Sequence, residues 1–360
     1  MSIITVQPGD PVYTMFGHTA IRVVDDSLDV DYSFNYGTFD YSDKLFVPKF
    51  IQGNLDYYLS VAPFGAAVRH YSIVENRSVI EQRLDLDLDD RQLVLDMLAE
   101  NARPENRAYR YDFLYDNCST RVLDILDDAL PLRLPDEELT TTFRDLLNPY
   151  LLQRPSLKTG IDLSLGIEVD KKATLRQTSF LPDELMHLFN DVLIEDERGV
   201  RSLVSRTDTL TVADSKPPPF PWVALIGWLL VAVQIVAILR MRQGHDVSSV
   251  IDVFFFAVAG LSGLVIVYMW FFTRHTVTAF NVNLLWAFPG HLILAIKYAR
   301  SKSPSDSLQY YAAFTVAAVL VFILLAPTSA YVSWLVVPWA LLIMTNAVRI
   351  LFDRSRTAHR

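Results

Sequence analysis

Phe113-Leu114-Tyr115-Asp116-Asn117-Cys118-Ser119-Thr120-Arg121 is the stretch on which the reading of this chain turns. Cys118 is the only cysteine among 360 residues. It forms no internal disulfide, so it is either a small buried hydrophobe or a reactive thiol. Val122, Leu123, Ile125 and Leu126, interleaved with Asp124, Asp127 and Asp128, repeat at helical spacing. The pattern predicts a helix beginning at Cys118, with Asp116 or Asn117 as its N-cap. A helix N-terminus offers unpaired N–H groups and positive potential, which favour thiolate over thiol.

A thiol nucleophile needs a base, and the base needs a polar group to orient it. The first 215 residues contain three histidines, His18, His70 and His187. His70 follows Arg69 and is accounted for by a surface position, and His187 by a place on a helix. His18 is the better base. It opens Thr19-Ala20-Ile21-Arg22-Val23-Val24, a predicted strand, and Gly17 beside it leaves room for a substrate. Asp25-Asp26-Ser27 suits a hairpin turn, with Asp31–Gly37 as the returning strand. Asn35 or Asp31 would then lie beside His18 as the third polar group. An oxyanion would be held by the N–H of Cys118 and that of its neighbour. Arg121 would pair with Asp116 or Asp124, or meet a lipid phosphate. With no CxxC, no metal-ligand spacing and no glycine-rich phosphate loop, neither metal nor cofactor is expected. Elsewhere Tyr71–Ile80 and Glu81–Leu88 read as strands. Asp89–Asn101 reads as a helix burying Leu93, Leu95, Met97 and Leu98. Asp136–Leu193 reads as helix and loop, broken at Leu163–Gly166.

Beyond Pro217 the character changes. Five apolar segments follow, near the roughly 20 residues that span a bilayer: Trp222–Leu239, Val253–Phe272, Asn283–Tyr298, Tyr310–Leu325 and Tyr331–Leu351. Arg240 and Arg242 follow the first, Lys297, Arg300 and Lys302 the third, and Arg349, Arg354, Arg356 and Arg360 the fifth. The alternate loops hold only Arg274 and His275, or nothing basic near Pro327-Thr328-Ser329. The basic side should be cytoplasmic, which places the amino-terminal head outside and the carboxyl terminus inside. The expected division is an extracytoplasmic catalytic domain over 1–215 (core 1–135, helical extension 136–210) and a transmembrane domain over 216–360. Met1–Pro8 is too short to be an export signal, so export implies a signal removed before Met1. From Lys216 onward there are 11 Lys and Arg against 4 Asp and Glu, which leaves 21 against 37 for the head out of totals of 32 and 41. So acidic a head does not suit nucleic acid, and it tolerates a cationic substrate such as an amine.

Pro8-Gly9-Asp10, Phe16-Gly17-His18-Thr19-Ala20-Ile21-Arg22-Val23, Phe34-Asn35-Tyr36-Gly37-Thr38-Phe39-Asp40, the Cys118 stretch, Phe180-Leu181-Pro182 and Phe280-Asn281-Val282-Asn283-Leu284-Leu285-Trp286-Ala287-Phe288-Pro289 together resemble the bacterial lipoprotein N-acyltransferase family Lnb. That family often carries an export signal and a cysteine upstream of the Pro-Gly-Asp turn, and this chain shows neither. The resemblance implies an α+β permuted papain-like (NlpC-type) domain fused to an all-α transmembrane domain of five helices. It makes Cys118 the nucleophile and His18 the base, and leaves the third polar position unassigned. The implied reaction moves an acyl chain from a membrane phospholipid, through a thioester, to the amino-terminal cysteine of a diacylated lipoprotein at the bacterial inner membrane. Asn117, Arg121 and Tyr36 beside the pair are candidate substrate contacts. Asn281, Asn283 and Trp286 would cap a helix end or grip a lipid ester at the outer interface. The rival readings are a membrane-anchored cell-wall peptidase or amidase using the same Cys–His pair, a phospholipase with water as acceptor, and a receptor in which Cys118 and His18 lie apart.

Overall fold

Strand β1 (Ser2–Val6) is buried along its whole length, and its neighbours explain why. In a computed structural model of the chain, β1 pairs with β2 (His18–Asp25) on one side and β5 (Val79–Leu84) on the other. The structure describes all residues except 41, 136, 215–216, 218, 244, 246–247, 301–303, 326–332 and 358–360. The remaining strands of the main sheet are β3 (Val30–Thr38), β4 (Asp56–Pro63), β6 (Ala108–Arg110) and β12 (Val204–Thr211). Their order is β12-β5-β1-β2-β3-β4-β6, antiparallel throughout. Side chains alternate across a strand. Ile3, Ile21, Phe34 and Tyr36 therefore enter one core, under helices α3 (Leu88–Asn101), α4 (Cys118–Ala129) and α7 (Pro182–Asp191). Ile4, Val6 and Ala20 enter a smaller core on the opposite face, with Phe64 of α2 (Phe64–Arg69). The chain between β3 and β4 forms α1 (Phe46–Gln52), which buries no side chain. Two small sheets complete this part: β7 (Leu132–Arg133) with β10 (Leu193–Asp196) and β11 (Gly199–Ser202), and β8 (Glu138–Thr142) with β9 (Lys172–Thr174).

Three expectations for the head change. Tyr71–Val74 continues α2 as a π-helical turn, and only Val79–Leu84 is strand. The alternating run Leu84–Leu88 leaves the sheet because Asp87 caps α3, its side chain accepting from Asp90 N at 2.8 Å. In α3 Leu98 is buried as expected, with Leu95 and Met97 partly buried against the core, but the fully buried partner is Val94, and Leu93 is 47% exposed.

The chain divides into two compact units, Met1–Leu146 with Lys172–Pro217, and Leu147–Lys171 with Pro218–Arg360. The boundary falls inside α5 (Phe143–Leu152), so α6 (Pro155–Ser164) packs with the helical unit. Among the described residues three helices there are long and apolar enough to cross a membrane: α8 (Trp222–Arg242), α9 (Val250–Phe272) and α11 (Asp306–Leu325). The segment expected to span from Asn283 to Tyr298 is not one helix. A 3-10 turn at Val282–Leu285 is followed by Pro289-Gly290 and then the ten-residue α10 (His291–Arg300). It lies close against α9, where a Cβ on Gly263 would fall 2.0 Å from Ala287 O and one on Gly260 2.7 Å from Leu292 N. The last helix, α12, covers Val337–Thr357; the expected span start at Tyr331, the loop Pro327-Thr328-Ser329, Lys302 and Arg360 lie outside the described residues. Arg349 is not a flanking loop charge. It is buried in α12, donating to Asp252 Oδ1 at 3.0 Å and Gln234 Oε1 at 2.9 Å.

Candidate active site

Asn117, not Asp116, caps α4. Its Oδ1 accepts from Ser119 N at 2.8 Å and Thr120 N at 3.1 Å. Its own N–H donates back to Thr120 Oγ1 at 2.8 Å, completing a reciprocal cap. The Nδ2 donates to Phe113 O at 2.8 Å and Phe180 O at 2.9 Å. Asn117 is thus buried with both ends of its amide committed, and its work is to fix the helix start that carries Cys118.

The opposite wall is the start of β2. Gly17, at φ +85°, turns the chain into the strand; a Cβ there would sit 2.9 Å from Val6 O and 3.2 Å from Pro182. Thr19 Oγ1 and Ser119 Oγ lie 2.9 Å apart, stapling the strand start to the helix start. Phe16, Phe113 and Phe180 pack in succession, with centroids 5.0 and 5.8 Å apart. Three sequence motifs that looked separate therefore converge around one thiol.

Cys118 and His18 are both half-buried. Burial pushes the Cys118 thiol up. A hydrogen bond to His18, the His18 charge, the Thr19 N–H and the Ser119 hydroxyl outweigh it, and the thiol is held below its ordinary value. His18 Nε2 lies 3.3 Å from Asn35 Oδ1. Asn35 is buried and is itself held by donation to Ser33 O at 3.0 Å and Ser33 Oγ at 3.1 Å. Tyr71 Oη also donates to Asn35 Oδ1, at 3.4 Å. Of the two expected third members, Asp31 is elsewhere: it pairs across the ladder with Val24 and binds Arg22 through both oxygens at 2.8 and 2.9 Å.

The other expected contacts have structural partners. Arg121 takes Asp116 in a two-point pair, 2.6 and 2.8 Å, and lies 3.7 Å over the Tyr109 ring. Tyr36 is a core residue whose hydroxyl accepts from Asn101 Nδ2 at 3.0 Å, its phenol pushed up to about 12 by burial. Asn281, Asn283 and Trp286 belong to the helical unit. Asn281 Nδ2 donates to Leu163 O at 2.8 Å, Asn283 Nδ2 to Asp162 O at 2.9 Å, and Trp286 Nε1 to Asn283 Oδ1 at 3.0 Å. All three are buried and tie the 3-10 turn to the end of α6. The oxyanion expectation also shifts. Ser119 N–H is spent on the cap, leaving the Cys118 N–H as the helix donor.

A cleft of about 320 Å³ opens beside His18, lined by Asn35, Gly37, Phe39 and Tyr71 and, farther along, by the Glu75–Arg77 ion pair. Its lining is mixed, apolar in the aromatic rings and polar at that pair. Sequence reading missed Tyr71 and the Thr19–Ser119 staple; a threonine after the histidine and a serine after the cysteine were the only signals.

Two elements define the class of this protein: a mixed α/β domain with Cys118 at a helix start and His18, hydrogen-bonded to Asn35, at the start of the neighbouring strand, and a helical unit with helices long and apolar enough to cross a membrane. Residues 1–149 match the Lnb N-terminal periplasmic domain and residues 216–357 match the Lnb transmembrane domain. The chain belongs to the Lnb family, as a membrane-anchored protein with a periplasmic amino-terminal domain. No curated protein and no solved structure matches it.

Proposed function

We propose that this protein is a lipoprotein N-acyltransferase working through a Cys118 thioester. The observation that carries the proposal is the placement of Cys118 at the start of α4 beside the start of β2, where Thr19 and Ser119 join the two and His18 is hydrogen-bonded to Asn35; the direction in which His18 draws the thiol, below its ordinary value, supports it. The Cys118 thiolate attacks the carbonyl carbon of a phospholipid ester, and the carbonyl electrons move to oxygen. As the intermediate collapses, the C–O bond breaks and His18 gives its proton to the leaving lysophospholipid oxygen. His18, now neutral, accepts a proton from the amino-terminal amine of a diacylated lipoprotein as that amine attacks the thioester. The new bond is an amide, and the thiolate returns. Asn35 keeps the ring in the orientation both steps use.

Membership of the Lnb family supports this substrate pair, and the apolar helices support delivery of both lipids from a bilayer. Lifting a chain out of the bilayer costs about 0.8 kcal/mol per CH₂, so a membrane-resident enzyme avoids a large penalty. We place the amino-terminal domain, of permuted papain-like design, on the periplasmic side of the inner membrane. A five-helix membrane domain then brings the carboxyl terminus to the cytoplasm, in keeping with Arg240, Arg242, Lys297 and Arg300 on one side.

The test is to incubate the full-length protein with acyl-labelled phospholipid vesicles, then add a diacylated lipopeptide. Label should appear on Cys118, be released by hydroxylamine, and move to the lipopeptide as amide. Cys118→Ala should carry none. Label released as free fatty acid despite the lipopeptide would make the protein a phospholipase, and cleavage of cell-wall peptides without acyl label would make it a peptidase.

A further inference from the structure

The Lnb-type reaction proposed above builds negative charge on the ester oxygen, and α4 supplies one free donor for it. The second donor must come from elsewhere, because Ser119 N–H and Thr120 N–H are both taken by Asn117. The neighbourhood of Gly37 shows a source. Gly37 has φ +82°, and a Cβ there would stand 3.5 Å from Cys118 Cβ, 3.8 Å from Tyr109 Oη and 3.8 Å from the Tyr111 ring edge. The notch left by the missing side chain is therefore bordered by the nucleophile's own carbon and by one hydroxyl. Tyr111 turns a ring carbon to it, Tyr109 its oxygen.

The Tyr109 hydroxyl is buried and, among the described residues, has no hydrogen-bond partner. The Gly37 N–H approaches the phenol oxygen but falls outside hydrogen-bond geometry, and in any case it would leave the O–H proton uncommitted. Leaving such a group unpaired in a native structure is costly. Burial first, and the nearby Cys118 second, push the phenol up, so it stays protonated and remains a donor. The Arg121 guanidinium, locked by Asp116, lies 3.7 Å over the ring, and Tyr36 packs edge-on at 6.2 Å. The cation fixes the ring and draws electron density from it, which strengthens the O–H as a donor.

We propose that the Tyr109 hydroxyl and the Cys118 N–H together form the oxyanion site of this enzyme, with Arg121 and Asp116 as positioning residues behind the phenol. Both donors point to the ester oxygen as the S–C bond forms and its electrons move to that oxygen. They release it when the carbonyl reforms and the leaving oxygen departs with the proton from His18. Donors held in place before reaction need no reorganisation, which is why loss of one such donor costs about 10²–10³ in rate.

The proposal rests on Cys118 being the acyl-carrying nucleophile, and the experiment separates the two ideas. Tyr109→Phe removes only the hydroxyl. In full-length protein with labelled phospholipid vesicles, Cys118 acylation should slow by about 10²–10³-fold, while alkylation of Cys118 by iodoacetamide, which forms no oxyanion, stays within about twofold of wild type. Acylation at the wild-type rate overturns the proposal, and so does an equal fall in both reactions, which would mean that Tyr109 only supports the thiolate. If Tyr109→Phe does not fold, 4-fluorophenylalanine at position 109, which fills the place of the hydroxyl but donates no proton, replaces it. Acylation should then slow by the same factor of about 10²–10³ with alkylation nearly unchanged, and acylation at the wild-type rate overturns the proposal. Acyl label persisting in Cys118→Ala would instead sink the reading on which it rests.

Discussion

Replacing Asn117 by Asp separates two jobs that one side chain performs. Asp caps a helix as well as Asn does, so the bonds from Ser119 N and Thr120 N survive. The donations to Phe113 O and Phe180 O do not, because a carboxylate has no N–H. Phe180 is fully buried and its carbonyl would lose its partner, at about 1–3 kcal/mol. The partly buried Phe113 bond adds about 1 kcal/mol. The negative charge at a helix N-terminus returns about 0.3–1 kcal/mol. The net cost is about 1–4 kcal/mol, combining these terms. For a domain of this size that lowers the midpoint by about 2–15 °C. Asn117→Ala, which also loses the cap, should cost about 1 kcal/mol more. Thermal melting of the full-length protein in detergent gives the order, and hydrogen exchange of the α4 amides localises it. If Asn117→Asp melts with wild type while Asn117→Ala does not, the two carbonyl bonds contribute nothing, and the idea that Asn117 joins the Cys118 helix to the Phe180 segment is wrong.

His18→Ala should move the pH midpoint of Cys118 alkylation upward. His18 supplies the two largest influences favouring the thiolate, and without it burial dominates the remaining Thr19 and Ser119 bonds; an unchanged midpoint would show that the helix terminus alone acidifies the thiol. Gly37→Ala should cost about 1–2 kcal/mol from the left-handed backbone and slow phospholipid acylation more than it slows alkylation, since the new methyl fills the notch beside Cys118; equal slowing in both assays refutes this. In the helical unit, Lys158 is 4% exposed and pairs with the equally buried Asp162 at 2.8 Å. Lys158→Met should destabilise by about 3–5 kcal/mol, and adding Asp162→Leu should recover most of it, as read by melting of the full-length protein.

The placement of Cys118 and His18 was legible because each residue sits at the start of a regular element with a clear pattern, and Gly17 and Asn117 mark those starts. The choice between Asn35 and Asp31 was not. Both lie on the returning strand, and only the ladder, which sets Asp31 opposite Val24 and gives it to Arg22, decides between them. Asn281 and Asn283 were legible in part: Asn281 caps the 3-10 turn as expected, its Oδ1 accepting from Asn283 N at 2.9 Å, but their longer-range bonds were not. Their acceptors are the carbonyls of Leu163 and Asp162, more than a hundred residues earlier, and no periodicity records which carbonyls a distant helix end leaves open. The third apolar segment reads as one continuous helix by composition, and composition does not record its break. Its hydrophobic content suits a span, but Pro289-Gly290 interrupts the helix and the backbone is accommodated against Gly260 and Gly263 of α9. Arg349 misled through position, since a charge near a helix end reads as a flank until Asp252 and Gln234 are seen to enclose it.

The order of the proposed steps follows from what favours the thiolate. Burial opposes it, and the contacts that favour it come from His18, Thr19 and Ser119, on the β2 and α4 starts that Thr19 and Ser119 staple together. Acylation removes the thiolate and consumes the His18 proton, which cancels the charge on both partners at once. What remains is a neutral ring, still held by Asn35 at 3.3 Å, beside a thioester. A neutral imidazole is a base, so the same geometry that activated the sulfur now favours an incoming neutral amine, which must give up a proton as it attacks. Returning lysophospholipid alcohol could use that base as well, and the forward course then depends on the amide product being less reactive than an ester toward the restored thiolate. A variant that keeps His18 but loses Asn35, such as Asn35→Ala, should therefore slow acylation and deacylation together. Slowing of one stage alone would mean that the ring is oriented by something other than Asn35 in the other stage.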